Sequence, residues 1–142
     1  MTVAAHEGDS MHGVAPRAGR RRLLIGLESG TATAAVVGGL LLAARPDGAL
    51  LQAPLAALAA SPFPDWRLPG LLLATLVGGG FAAAGTWEWR RGRHARELSV
   101  LAGFGLVCFE LAELAWIGSH PLQALLSLVG VTVCVLAARP GA

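Results

Sequence analysis

Apolar residues are grouped into four long stretches, separated by short polar segments. The stretches cover residues 23–44, 69–89, 98–118 and 121–138, or 22, 21, 21 and 18 residues. A helix that crosses a bilayer needs about 20 mostly apolar residues. No segment is typical of a strand, and open strand edges would leave backbone polar groups unpaired in lipid. We therefore predict an all-α fold, a four-helix transmembrane bundle.

The composition agrees with this pattern. Of the 142 residues, 54% are hydrophobic and 14% are charged. A soluble domain is about 45–50% apolar and about 25% charged. These values exclude a soluble enzyme, a nucleic-acid-binding module and a secreted disulfide scaffold, and they make the lipid bilayer the first expected partner.

The basic residues, all of them arginine, predict the orientation. Nine of the 11 lie before the first span, in the loop 90–97 or after the fourth span, whereas only Arg45 and Arg67 flank the loop 45–68. Arginine in short loops marks the cytoplasmic side of a membrane protein. Both termini and the loop 90–97 are therefore predicted to be cytoplasmic, with the loop 45–68 outside the cell membrane.

The chain before the first span has no apolar periodicity. Residues 1–19, rich in Gly, Ala and His, are predicted to be a disordered cytoplasmic tail, and residues 20–142 the membrane domain. The arginines at 20–22 precede an apolar run, as in an export signal. That run exceeds the usual 7–15 residues and no clear cleavage site follows it, so we expect the first span to be retained.

The outer loop has an apolar segment, 49–60, that is too short to cross a bilayer and is interrupted by Pro54. We expect this segment to lie along the membrane interface or over the end of the bundle. Trp66 is predicted to anchor the chain at headgroup level, as are Trp87 and Trp89 on the opposite side.

Several short motifs give the chain a resemblance to other proteins. They are Ser61-Pro62-Phe63 with Asp65, Pro69-Gly70, and later Glu113, Ile117-Gly118 and His120-Pro121-Leu122-Gln123. With these motifs the chain, over residues 23–138, resembles a group of uncharacterised small four-helix bacterial integral membrane proteins of actinobacterial type. The resemblance implies four spans, and it implies no activity, cofactor or catalytic residue.

Small residues indicate where helices can approach one another in a bilayer, since close packing and hydrogen bonds drive their association there. Gly26, Gly30, Ala34 and Gly38 recur every four residues on the first span, and Gly103 lies on the third. The repeat on the first span serves either folding within one chain or pairing between two chains.

Two acidic residues, Glu110 and Glu113, lie within the third span. Being three residues apart, they share a helix face, which also carries Ser99 and Gly103. Desolvation and the like charge disfavour ionisation, so we expect at least one of them to be neutral at pH 7. His120 is a candidate partner on the outer side. The pair is either a functional site or a hydrogen-bonded packing pair.

Glu28 in the first span lies about 7–8 Å beyond Leu23, close enough to reach cytoplasmic headgroups or Arg90 and Arg91. It is about 200° around the helix from Gly26. If Glu28 were buried instead, both faces of the first span would meet protein, which would favour a dimer.

The cysteine and histidine side chains do not form a pattern typical of a catalytic site. Cys108 and Cys134 are isolated within spans and form no C-x-x-C pair. Only Glu113 and His120 suggest themselves as metal ligands, fewer than a zinc site needs. We expect no enzyme activity, no catalytic residue, no cofactor, no metal and no nucleic-acid partner.

Two functions remain open. The first is a structural or accessory role, in which small-residue helix faces and the acidic residues bind a second copy of the chain or a larger membrane protein. The alternative is a proton-coupled small-solute transporter or a proton-conducting oligomer that uses Glu110 and Glu113.

Overall fold

The computed structural model describes residues 14–119 and 121–139, and this part of the chain is helical with no strand. Its four long helices are α1 (Val14–Ala44), α2 (Arg67–Trp89), α3 (Ala95–Ile117) and α4 (Pro121–Ala138). Each is long and apolar enough to cross a membrane. The predicted all-helical architecture with four candidate spans is confirmed.

The start of α1 differs from the prediction. The helix begins at Val14, so the expectation of disorder is wrong for residues 14–19, while residues 1–13 lie outside the described part. Pro16 lies in the first turn, where its missing N–H breaks no helical hydrogen bond, and Arg17 and Ala18 after it are strong helix formers. Adding turns to an existing helix costs far less than nucleating one, so the polar segment can continue the apolar helix.

The helices form two hairpins. One consists of α1 and α2, which contact each other along their length, and the other of α3 and α4. The hairpins meet where α2 contacts α3 and where α1 contacts α4. This up-and-down order gives a four-helix ring, as expected for short connections between antiparallel neighbours.

Each hairpin is closed by a pair of glycines. In the first, a Cβ on Gly39 would overlap the carbonyl oxygen of Gly70, and a Cβ on Gly70 would come close to the carbonyl oxygen of Gly39. In the second, a Cβ on Gly103 would lie 2.7 Å from the carbonyl oxygen of Gly130, and the reciprocal distance is 2.8 Å. No other residue type permits backbones to approach so closely.

The middle of α2 is locally widened. Residues Leu73–Gly78 form a π-helical turn between the α-helical segments Arg67–Leu72 and Gly79–Trp89. The Gly79 N–H accordingly donates to the carbonyl of Ala74, five residues back. At this turn Gly78 lies against α1, where a Cβ would be 2.6 Å from a methyl carbon of Val36. The wide turn and the glycine together let α2 follow α1 closely.

The interior contains two apolar clusters. The larger lies within the bundle and comprises Leu24, Ala32, Ala35, Val77, Phe81, Leu106, Val133 and Ala137. The smaller one comprises Leu42, Leu58 and Trp66, with Ile117 packed against it. Since Leu58 and Trp66 belong to the loop between α1 and α2, the loop packs over one end of the bundle, which was one of the two predicted arrangements.

Local hydrogen bonds hold this loop in place. It contains two short 3₁₀ helices, Ala49–Leu51 and Leu55–Leu58, and the Trp66 N–H donates to the carbonyl of Pro46 at 3.0 Å. The Ala49 N–H donates to the Asp47 carboxylate, which holds the pKa of that carboxyl below its usual value. Trp66 is only 6% exposed, so its predicted role as a headgroup anchor is wrong: its ring packs into the smaller cluster.

The glycine contact between α3 and α4 leads to a direct test with a matched control. We expect Gly103→Ala to lower stability by about 1–3 kcal/mol, because the added carbon overpacks a backbone contact. Gly105→Ala, two residues away where a Cβ would meet nothing within 4 Å, should be neutral or stabilising. Unfolding of both variants in mixed detergent micelles measures the difference. Equal stabilities for the two variants would contradict the contact.

Candidate functional site

The inward face of α3 carries Glu110, one of the two acidic residues that the sequence places within the third span. Its buried residues are Ala95, Ser99, Gly103, Leu106 and Glu110. This is the face on which the sequence grouped Ser99 and Gly103 with Glu110. The grouping follows from helical spacing, since residues three or four apart lie on the same side of a helix.

Glu110 lies inside the bundle and is only 2% exposed. On the helix face it falls between Leu106, a member of the larger cluster, and Ile117, which packs against the smaller one. Among the described residues, neither carboxylate oxygen has a hydrogen-bond partner. A buried polar group without a partner destabilises the folded state by about 1–3 kcal/mol, and by more when it is charged. Glu110 therefore destabilises the fold, most strongly when it is ionised.

Glu113 has a different environment although it is one turn away. It is half-buried and lines a cavity of about 180 Å³ beneath the loop between α1 and α2. Phe63 and Trp116 also line this cavity, and their rings meet edge to face with centroids 5.9 Å apart. Of the predicted pair, Glu110 therefore lies in the bundle interior, whereas Glu113 is half-buried and lines the cavity.

Glu28 is fully buried, with 0% exposure, on the inward face of α1. A Cβ on Gly85 of α2 would lie 3.4 Å from its Cβ, and the hydroxyl of Ser99 faces its carboxylate from α3. The carboxylate and that hydroxyl do not meet hydrogen-bond geometry, and neither has another partner in the described part of the chain. Of the two alternatives for Glu28, the structure shows burial and not a reach to headgroups or to Arg90 and Arg91, because the helix turns it inwards.

The contact between Glu28 and Ser99 was missed by the sequence analysis. Two signals for it are present in the sequence. Ser99 shares the inward face with Glu110, and Glu28 lies opposite the glycine repeat of α1. Once the glycine repeat is known to face outwards, Glu28 must face the interior, where Ser99 lies with Glu110.

An apolar layer separates the two interior carboxylates. Ser99, beside Glu28, and Glu110 are 11 residues apart on α3, or about 16 Å along the helix axis. Leu106 lies between them and belongs to the cluster that contains Phe81 and Val133, each at most 1% exposed. A hydrogen bond spans only about 3 Å, so no polar chain joins the two groups within the described residues.

The small residues predicted to pack helices have divided roles. Gly103 contacts α4, as described above. On α1, a Cβ on Gly26, Gly30 or Gly38 would meet nothing within 4 Å, and Ala34 is exposed. The glycine that packs within the chain is instead Gly39, one residue along. The repeat on α1 therefore does not serve folding within the chain, which was one of its two predicted uses.

The structure brings arginine-rich segments to one end of the bundle. Arg21 of α1 donates to the backbone carbonyls of Glu88 and Trp89, at 2.6 and 2.9 Å, and its Nε lies 3.5 Å from the Glu88 carboxylate. Arg96 of α3 donates to the carbonyl of Ala138 at the end of α4, at 3.0 Å. These contacts place guanidinium groups at the C-terminal ends of α2 and α4, where helix dipoles favour positive charge.

The other candidate ligands are dispersed. Cys108 is exposed and Cys134 half-buried, and both are free thiols. In residues 14–119 and 121–139 no three His, Cys, Asp or Glu side chains converge as a metal site would require. His120, the predicted partner of the acidic residues, lies outside the described residues, as do the tail histidines.

Comparison with known proteins gives no relative: no family model, no curated protein and no solved structure matches this chain. The likeness inferred from the short motifs stays a prediction. By length and composition, the four helices fit a multi-pass membrane protein.

Proposed function

We propose that the chain is an integral protein of the cell membrane, with both termini and the loop between α2 and α3 in the cytoplasm. The arginine distribution supports this orientation, because nine of 11 arginines belong to the segments at that end. The contacts of Arg21 and Arg96 with neighbouring helix ends support the grouping of those segments at one end. The motif resemblance to small four-helix bacterial membrane proteins agrees with this proposal.

Within the membrane we propose a structural or accessory role, in which α1 associates with a second copy of the chain or with a larger membrane protein. The observation that carries the proposal is the outward small-residue face of α1, on which Gly26, Gly30 and Ala34 are exposed and Gly38 is half-buried. Lipid tails are as apolar as leucine, so helices in a bilayer associate where small residues let backbones come close. The opposite face of α1 is occupied by Glu28 and the bundle interior.

The interior acidic residues fit this role as packing groups. Glu28 and Glu110 are almost completely buried, and the apolar layer around Leu106 separates them. We propose that both side chains are held in neutral form within the bundle, and that the protein performs no enzymatic reaction and needs no cofactor.

A specific observation favours a second candidate, a proton-coupled transporter or proton-conducting oligomer. Glu113 lines the cavity beneath the outer loop, and Glu110 lies one turn further into the bundle with both oxygens unpaired by any described residue. Acidic residues at such depth line ion and proton pathways in many membrane proteins. In this alternative, protons would enter from the outer side through Glu113.

Association through α1 is tested by bulky substitutions on its exposed face. We expect Gly30→Leu with Gly38→Leu to weaken self-association by about tenfold or more, since larger side chains hold the backbones apart. Energy transfer between labelled copies in liposomes, read against lipid dilution, measures this. Gly79→Leu with Gly105→Leu is the control, because both positions have open space and lie on other helices. No self-association in the wild type, together with no larger partner that depends on Gly30 and Gly38, would contradict the accessory role.

The two candidate functions differ in proton flux. Under an imposed pH gradient, the accessory role predicts that liposomes containing the protein take up protons no faster than empty ones. The double variant Glu110→Gln/Glu113→Gln should then show the same background flux as the wild type, because neither carboxylate carries protons in this role. Flux in the wild type that disappears in this variant would favour the transporter, provided that both proteins unfold at the same temperature.

A further inference from the structure

A pocket lined by arginines lies at the end of the bundle where α2 ends and α3 begins. Its volume is about 400 Å³. Its charged lining consists of four arginines and one glutamate, so its formal charge is strongly positive: Arg21, Arg91, Arg93, Arg96 and Glu88.

The four arginines have two kinds of surroundings. Arg21 and Arg96 are engaged with helix ends through the hydrogen bonds given above, and Arg21 also pairs with Glu88. These contacts fix the walls of the pocket and neutralise its one carboxylate. Arg91 and Arg93, in the turn between the helices, make no side-chain hydrogen bond or ion pair with any described residue. Within the described part of the chain, these two guanidinium groups are therefore available to bind an anion.

The backbone at Arg91 is unusual for an arginine. The Gly92 N–H donates to the carbonyl of Trp87 and the Arg91 N–H to that of Glu88, which together form the Schellman motif at the end of α2. In this motif the residue at the position of Arg91 is left-handed, and Arg91 has φ 53°. Glycine is the usual residue there, and other residues pay a conformational cost. The chain has arginine at a position that backbone geometry assigns to glycine.

Two aromatic residues place the pocket at the depth of lipid headgroups. Trp87 and Trp89, in the last turn of α2, are exposed, and Trp89 is 72% exposed. Tryptophan is enriched at the membrane–water interface, where its ring lies at headgroup level. A Cβ on Gly92, which lines the pocket, would be 3.0 Å from the indole nitrogen of Trp87. The pocket and the aromatic belt thus share one level of the bundle.

We propose that this pocket binds the phosphate group of an anionic lipid headgroup, with Arg91 and Arg93 as its main ligands. Guanidinium groups present paired N–H donors that match the oxygens of a phosphate. Basic pockets between helices at the membrane surface are suited to anionic headgroups. The bound lipid would cover the junction between the two hairpins.

The test compares two double variants that remove the same charge at opposite ends of the molecule. Arg91→Gly/Arg93→Gln removes the free guanidinium groups, and its glycine suits the left-handed backbone, so the fold should keep its thermal stability. Arg45→Gln/Arg67→Gln is the control at the opposite end. The full chain in neutral detergent is titrated with phosphatidylglycerol or phosphatidylcholine, and bound lipid is counted by native mass spectrometry. A parallel titration with inorganic phosphate follows the unfolding temperature.

We expect the wild type to prefer phosphatidylglycerol over phosphatidylcholine. The pocket variant should lose about tenfold or more of that affinity, and the control should retain it. Unchanged phosphatidylglycerol binding in the pocket variant, or an equal loss in the control, would overturn the proposal. Stabilisation by inorganic phosphate that is lost only in the pocket variant, without any preference among lipids, would also overturn the lipid and assign the pocket to a soluble phosphate.

Discussion

The rotation of α1 about its own axis is the constraint on which the rest of the structure depends. Gly39 fits against Gly70, and Glu28 fits against Gly85, so one face of α1 is held along the whole of α2. Turning α1 by half a turn would move Glu28 into lipid and place a small-residue face against α2. In a bilayer, burial of apolar surface does not choose between such rotations, whereas close backbone contacts and the placement of polar groups do.

That rotation determines what each polar group can do. Glu28 and Ser99 are enclosed together near the arginine-rich end, Glu110 is enclosed further along, and Glu113 lines the apolar cavity beneath the loop between α1 and α2. Glu28, Glu110 and Ser99 lack partners among the described residues, which makes them expensive to keep in an apolar bundle. Buried polar groups that lower stability in this way indicate either a specific helix packing or a proton-accepting site. Because the apolar layer at Leu106 separates Glu28 and Ser99 from Glu110, a packing role for these groups is favoured over a proton pathway between them.

The sequence predicts those features of the structure that follow from the length of apolar segments and from helical residue spacing. The four spans follow from apolar length, and the inward face of α3 follows from the spacing of Ser99, Gly103 and Glu110. The rotation of α1 could not be predicted, because Gly38 and Gly39 are adjacent and either could meet α2. The regular repeat contains Gly38, whereas the contact with α2 uses Gly39, whose partner Gly70 lies in that helix. Trp66 was misjudged for a similar reason, since its burial depends on how the loop folds back over Leu42 and Ile117.

The most direct test of the rotation of α1 is disulfide formation between α1 and α2 in a chain whose Cys108 and Cys134 have been replaced. The Cβ of Glu28 lies 3.4 Å from the position of a Cβ on Gly85, close to the separation of about 3.5–4.5 Å in a disulfide. Glu28→Cys/Gly85→Cys should therefore form an intramolecular disulfide under mild oxidation in the membrane. Gly30→Cys/Gly85→Cys, with its first cysteine on the exposed face, should not. A disulfide in the second variant and none in the first would contradict the rotation of α1 and, with it, the assignment of its two faces.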